Sequence, residues 1–99
     1  MKRVSDYGGQ TGKYSMLPLK RLPDVLEQEL IVWGIEEREG RYGDYLLIAC
    51  SENEDATQAE FVILCSGAVV VRKLRAVDAA NGFPVRARFS KPGRYYDVN

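Results

Sequence analysis

The chain has 99 residues, in which 14 Lys and Arg balance 14 Asp and Glu, and it contains no histidine. This length and an apolar share of 45% fit one domain with one modest core and exclude two domains. No apolar run approaches the roughly 20 residues that cross a bilayer, so we expect a soluble, cytoplasmic protein without a membrane partner. The absence of histidine removes the usual general base and the commonest zinc ligand.

Motifs for catalysis or cofactor binding are missing. Cys50 and Cys65 each lie in an apolar run, which is typical of buried free thiols rather than of a disulfide or zinc site. The glycines between Gly8 and Gly12 lack the second half of a phosphate-binding loop. Neighbouring acids such as Glu36 and Glu37 point to opposite sides of a strand and cannot act as an acid and base pair. We expect a protein that is not an enzyme and has no metal, cofactor or small-molecule substrate.

Charge is segregated along the chain. Residues 1–23 and 66–99 are predominantly basic, whereas residues 24–65 are predominantly acidic. Such segregation can produce a basic face in the folded protein, and a basic face suits a phosphate backbone. Ordinary solvated surface charge is the alternative.

The N-terminal region is predicted in two parts. Residues 1–13 are glycine-rich without an apolar period and predict a flexible arm. An ordered domain is expected from residue 14 to residue 99. Its first segment is broken by Pro18 and Pro23, so it is expected to lie against the domain without regular structure.

Three strands in a meander are predicted next. The run from residue 30 to 35 is β-branched and aromatic, and Gly34 within it indicates a bulge or bend. Turn residues at 40–44 lead to a second strand at 45–50, and a third follows at 61–65. The acidic stretch between them is read as a solvated hairpin tip that repels phosphate.

A helix is predicted over residues 68–80. Val70, Leu74 and Val77 recur at helical spacing, Ser66 is placed to cap the start, and Gly82 is a stop signal. The alternative is a strand at 68–74, which three consecutive valines favour. Two more strands are predicted at 83–89, with alternating inward apolar residues and outward arginines, and at 95–98.

This order, three strands, a helix and two strands, resembles the OB-fold, a five-stranded Greek-key barrel. The resemblance covers roughly residues 27–98 and also rests on the bend at Gly34, the Arg41-Tyr42-Gly43-Asp44 turn and the ending Pro92-Gly93-Arg94-Tyr95-Tyr96. With Ile35-Glu36-Glu37-Arg38, this local sequence is similar to small single-stranded-DNA-binding OB proteins of phages and mobile elements. The expected fold is therefore all-β with one helix, closed into a barrel.

The resemblance implies a ligand face on the second and third strands, flanked by the loops between strands one and two and between strands four and five. Single-strand binders combine cations for phosphates with aromatic rings for bases. A departure is that the third strand offers one aromatic residue, Phe61, and otherwise aliphatic ones. The candidate nucleic-acid-binding residues are Trp33, Arg41, Tyr42, Tyr45, Arg86, Arg88, Lys91 and Arg94.

Several candidates have a structural alternative. Trp33 shares a predicted strand face with Ile31 and Ile35, so core packing competes with a stacking role. Arg86 and Arg88 are also typical of a solvated edge strand. Tyr95 and Tyr96 are expected to point to opposite faces, one into the core and one into solvent.

Two functions are compatible with these features. The first is binding of single-stranded DNA or RNA. The second is a protein-interaction or assembly module on the same barrel, suggested by the zero net charge and by apolar residues on both faces of strands two and three. A homo-oligomer is compatible with both.

Overall fold

The structure, a computed structural model, describes residues 14, 16–41, 43–52 and 55–99. The predicted arm at residues 1–13 lies outside the described residues. The fold is mainly β with one helix, as predicted. Its elements are β1 (Leu19–Lys20), a 3-10 helix (Leu22–Val25), β2 (Glu29–Gly40), β3 (Gly43–Ser51), β4 (Phe61–Cys65), α1 (Ala68–Ala79), β5 (Val85–Ser90) and β6 (Asp97–Val98).

The six strands form one mixed sheet in the order β1-β4-β3-β2-β5-β6. The meander predicted from sequence is confirmed, since β3 pairs antiparallel with both β2 and β4. β5 pairs antiparallel with the first part of β2, and β6 pairs antiparallel with β5. Among the described residues no ladder joins the two edge strands, β1 and β6, so the sheet is open and the predicted closed barrel is not confirmed.

β1 is a sixth strand where irregular structure was expected, so that prediction was wrong for Leu19 and Lys20. The two residues align in parallel with Val62 and Ile63 of β4. The preceding Pro18 carbonyl accepts a hydrogen bond from the Val62 N–H at 2.9 Å. A proline keeps its carbonyl acceptor although it lacks a donor, and it is therefore compatible with an edge strand.

A β-bulge reverses the faces of β2. The register against β3 shifts between Val32 and Gly34, which leaves Trp33 as the extra residue. Because side chains alternate along a strand, one extra residue exchanges the two faces. Val32 and Ile35 consequently both contact the main core. The prediction that Ile31, Trp33 and Ile35 share one face was wrong for this reason.

Apolar side chains are buried on both faces of the sheet. β3 shows this directly, because Leu46, Ile48 and Cys50 belong to the main core while Leu47 and Ala49 belong to a smaller cluster on the other face. The smaller cluster is partly covered by residues of the N-terminal segment and by the bulge. Its members are Leu47, Ala49, Ala59 and Val62, with Tyr14, Leu17 and Trp33 packed against them.

The predicted helix is confirmed, and the alternative strand at 68–74 is not found. Val70 and Leu74 are buried in the main core. Gly67, rather than Ser66, occupies the N-cap and no side chain caps it, so the predicted Ser66 cap was wrong. The chain leaves the helix through Asn81, whose φ is 53°.

An ion pair joins α1 to β6. Lys73 Nζ donates to Asp97 Oδ1 at 2.7 Å and to the Val98 carbonyl at 3.2 Å. The hydrogen bond from Lys73, followed by one from the Val98 N–H, lowers the pKa of the Asp97 carboxyl. The carboxylate therefore remains charged at mildly acidic pH and keeps this contact.

Gly43 provides a test of the turn between β2 and β3. Its φ is 125°, a region that side chains with a Cβ rarely adopt, and beyond its chain neighbours no described residue has an atom within 4 Å of a Cβ built there. Gly43→Val should therefore lower the free energy of unfolding, measured by urea denaturation, by about 1–3 kcal/mol through backbone strain. Gly93→Val is the matched control, because it too has open space but no positive φ. Equal losses from both variants would contradict this explanation.

Candidate nucleic-acid interface

A groove of about 610 Å³ lies between the two edges of the open sheet. One wall is formed by residues 19–23, which include β1. The other wall is formed by residues 94–96, just before β6, and residues 64–67 form the part between them. We call this the edge groove. It lies where the sheet is open, between β1 and the loop before β6.

A second cavity of about 340 Å³ adjoins it at the turn between β2 and β3. This turn cavity is lined by Arg41, Asp44 and Tyr45, and it shares residues 64–66 with the edge groove. The two cavities therefore meet at the end of β4. Together they form one groove, the interface groove.

Exposed apolar side chains are concentrated on the edge groove. Four large apolar residues among those described are exposed, and three of them line this groove: Leu19 at 59%, Leu64 at 42% and Tyr95 at 53%. Leu64 is exposed because Ile63 and Cys65, its neighbours on β4, face the main core. Contiguous exposed apolar side chains are a feature of binding surfaces.

The interface groove is also basic. Lys20, Arg21 and Arg94 line the edge groove and Arg41 lines the turn cavity, whereas Asp44 is the one acidic residue among the described lining residues. Lys20 is paired with Glu52, at 2.6 Å between Nζ and Oε1. The three arginines are exposed and form no ion pair with the residues described here. Their charge is therefore available to an anionic ligand.

The structure brings three of the predicted binding residues to this groove, namely Arg41, Tyr45 and Arg94. Lys91 lies beside it, with Nζ 5.3 Å from the ring centroid of Tyr96, another lining residue. Tyr42, predicted to stack on a base, lies outside the described residues.

Tyr45 is held by the backbone of the neighbouring strand. It is half-buried, and a Cβ added to Gly40 would lie 3.0 Å from Tyr45 Cε1. The ring thus packs over Gly40, where any larger residue would displace it. This contact positions the ring at the turn cavity.

Arg86 and Arg88 are not brought to the interface groove. Both lie on β5, where Arg86 Nη1 contacts Glu29 Oε1 at 3.1 Å and Arg88 aligns with Glu29 in the ladder. The cavity beside Arg86 is lined by Glu29 and Glu52 and shares no residue with the groove. This placement agrees with the alternative that these arginines are solvated strand residues.

Trp33 is also placed elsewhere. Its Nε1 donates to Ser51 Oγ at 2.8 Å, and its ring packs against the smaller cluster. The cavity that it lines contains two carboxylates, Glu36 and Asp78, and no basic residue among those described. A phosphate chain is therefore not favoured beside it.

Several groove residues were not among the predicted ones, and Leu19, Arg21, Leu64 and Tyr95 are four that are exposed. The prediction that one of Tyr95 and Tyr96 is exposed is confirmed, since Tyr96 packs against the main core. The alternation of side chains along β4 could have indicated Leu64, because it places Leu64 on the opposite face from Ile63 and Cys65. No local pattern indicated Leu19 or Arg21, because their position depends on the parallel pairing of β1 with a distant strand.

The cysteines are buried free thiols, as predicted. Burial raises the pKa of Cys50 to about 12 and also raises that of Cys65, which accepts a hydrogen bond from the Gly67 N–H at 3.4 Å. Both thiols are consequently neutral at physiological pH. The described part of the chain contains no group of three or more His, Cys, Asp or Glu that could hold a metal ion.

No helix in the described ranges has the length and apolar character needed to cross a membrane. No protein-family model, curated protein or solved structure matches the chain. The structure is that of a mainly β protein with one helix. The two edges of its open sheet enclose a groove that is lined by basic and apolar residues.

Proposed function

We propose that this chain is a non-catalytic protein that binds single-stranded nucleic acid in the interface groove. The observation that carries the proposal is that Arg41 with the half-buried Tyr45, and Arg94 with the exposed Tyr95, line the groove on either side of Leu64, and neither arginine forms an ion pair with a described residue. Arg41 comes from the turn between β2 and β3, and Tyr45 from the start of β3. Arg94 and Tyr95 come from the loop before β6.

The chemistry of the groove matches the two parts of a nucleotide chain. Arg21, Arg41 and Arg94 supply positive charge for phosphates, and phosphate contacts account for much of the affinity of such complexes. Tyr95 and Leu64 offer apolar surface to bases, and each stacked base contributes about 1–3 kcal/mol. The flat faces of bases are accessible only when they are unstacked from a duplex, so the groove favours a single strand.

The strand pairing supports an OB-type barrel that is partly open. The meander of β2, β3 and β4, the pairing of β5 with β2 and the position of α1 between β4 and β5 follow the order expected for that fold. We infer that the gap between β4 and β6 is the open side of this barrel. β1 occupies part of the gap by pairing with β4, and the edge groove occupies the rest.

An oligonucleotide titration tests the proposal. Fluorescence anisotropy of a labelled dT oligomer should rise on addition of the protein at low salt. The logarithm of the association constant should then fall with the logarithm of salt concentration with a slope of about −2, if three arginines each contact one phosphate. No change in anisotropy at low salt would exclude the proposal.

Single alanine variants test whether the oligonucleotide binds in the interface groove. Arg94→Ala should weaken it, because Arg94 lines the edge groove without an ion pair in the described structure. Arg88→Ala is the matched control, since this arginine is also exposed but lies on β5 opposite Glu29. Equal weakening by both variants would show that the ligand does not follow the groove.

A protein-interaction or assembly module is the second candidate. It is favoured by exposed apolar side chains at the edge of the sheet, where Met16 is 92% exposed and Leu19 59%. Edge strands with such side chains pair readily with other chains. A light-scattering mass well above that of one chain, together with no oligonucleotide binding, would favour this function over the first.

A further inference from the structure

Three aromatic residues from distant parts of the chain line a separate cavity of about 330 Å³. They are Tyr14, Trp33 and Phe83, and two carboxylate residues, Glu36 and Asp78, line the same space. The cavity lies at the bulge of β2 and the C-terminal end of α1, and it shares no residue with the interface groove. We call it the aromatic cavity.

The bulge is what brings these rings together. Trp33 is the extra residue of β2, and its N–H is already bonded to Ser51, which fixes the polar edge of the indole toward β3. The next residue, Gly34, has no side chain, so the Tyr14 hydroxyl lies only 2.6 Å from where a Cβ would be. The phenol thus occupies space that any other residue at position 34 would take.

The electrostatics of the cavity favour a cation. Glu36 is neutralised by Arg38, at 3.1 Å between Oε2 and Nη2, but Asp78 forms no ion pair with the residues described. Asp78 is in the last turn of α1, where the helix dipole adds partial negative charge. No basic residue is among the described lining residues.

We propose that the aromatic cavity binds a small organic cation with a quaternary ammonium head. The faces of aromatic rings attract cations, and quaternary ammonium groups are the ions whose size and weak hydration suit several rings at once. A metal ion would need several oxygen ligands at short range, which rings do not supply. The volume lies near the lower end of that of small-molecule sites.

The only tryptophan of the chain, Trp33, reports on the site directly. Tryptophan fluorescence is followed during titration with choline chloride at constant ionic strength, and the indole N–H resonance of Trp33 is followed by NMR in the same titration. Both should change saturably with choline. The uncharged isostere 3,3-dimethylbutan-1-ol should give no saturable change. A flat response to choline in both measurements, or an equal response to the isostere, would overturn the proposal.

A pair of carboxylate variants locates the cation. Asp78→Asn should weaken choline binding by roughly twofold to fivefold, as expected for loss of one exposed charge. Asp24→Asn, which changes another exposed carboxylate, on the 3-10 helix outside the cavity, should leave it unchanged. Equal effects of the two variants would mean that choline binds elsewhere. The outcome is independent of the oligonucleotide titration, which addresses different residues.

Discussion

Phe89→Ala is expected to lower the free energy of unfolding by about 3–5 kcal/mol. Phe89 is fully buried in the main core, and it aligns with Val98 of β6. Its backbone carbonyl also accepts a hydrogen bond from the Glu27 N–H at 2.8 Å. Because a domain of this size is stable by only about 5–15 kcal/mol, this loss would be a large share of the total. Urea denaturation followed by circular dichroism measures it.

Leu64→Ala is the control for this experiment. Leu64 is also an apolar strand residue, but it is 42% exposed and belongs to the groove rather than to the core. Its truncation should cost less than about 1 kcal/mol, since it leaves no internal cavity. If the two variants lost equal stability, the assignment of Phe89 to the centre of the core would be contradicted.

Reversing two charges in the groove is expected to have the largest effect on binding. The double variant Arg41→Glu, Arg94→Glu should weaken the dT oligomer complex by roughly 100-fold at low salt, about tenfold for each reversed charge. Each change removes an attraction to phosphate and adds a repulsion. Both arginines are exposed, so the fold should be retained, and circular dichroism checks this.

The matched double variant is Arg86→Glu, Arg88→Glu on β5. It changes the net charge by the same amount, so it accounts for the general effect of charge on association. Because these arginines lie beside Glu29 and away from the groove cavities, the loss of affinity should be much smaller. An equal loss from the two double variants would place the nucleic acid on a wider face that includes β5.

The strands and the helix were predictable because their signals are local. β3, β4 and β5 alternate or are continuously apolar over five to nine residues, and α1 repeats its apolar residues at helical spacing. Side-chain direction repeats at a fixed interval along a strand or a helix, so such a pattern predicts which face is buried. The predicted groove residues Arg41, Tyr45 and Arg94 could be found in the same way, since Arg41 and Arg94 belong to turns next to these strands and Tyr45 to the start of β3.

Two of the errors concern contacts between distant parts of the chain. Leu19 and Lys20 have no strand period of their own, and they form β1 only because β4 offers an unpaired edge. Trp33 follows an apparently regular alternation, but the bulge shifts the register and exchanges the faces. Neither outcome can be predicted from a short stretch of sequence, because each depends on which strand becomes the neighbour.

Taken alone, the sequence determined that the protein is mainly β with one helix, the order of the elements from β2 to β6 and the buried state of the thiols, because hydrophobic periodicity and burial preferences act over short stretches. Only the tertiary structure decided that the sheet has two separate edges, that Leu19, Leu64 and Tyr95 meet between them, and that Arg86 and Trp33 do not. The physical reason is that strand neighbours and register are chosen by the packing of the whole core, and a one-residue shift moves a side chain to the opposite face.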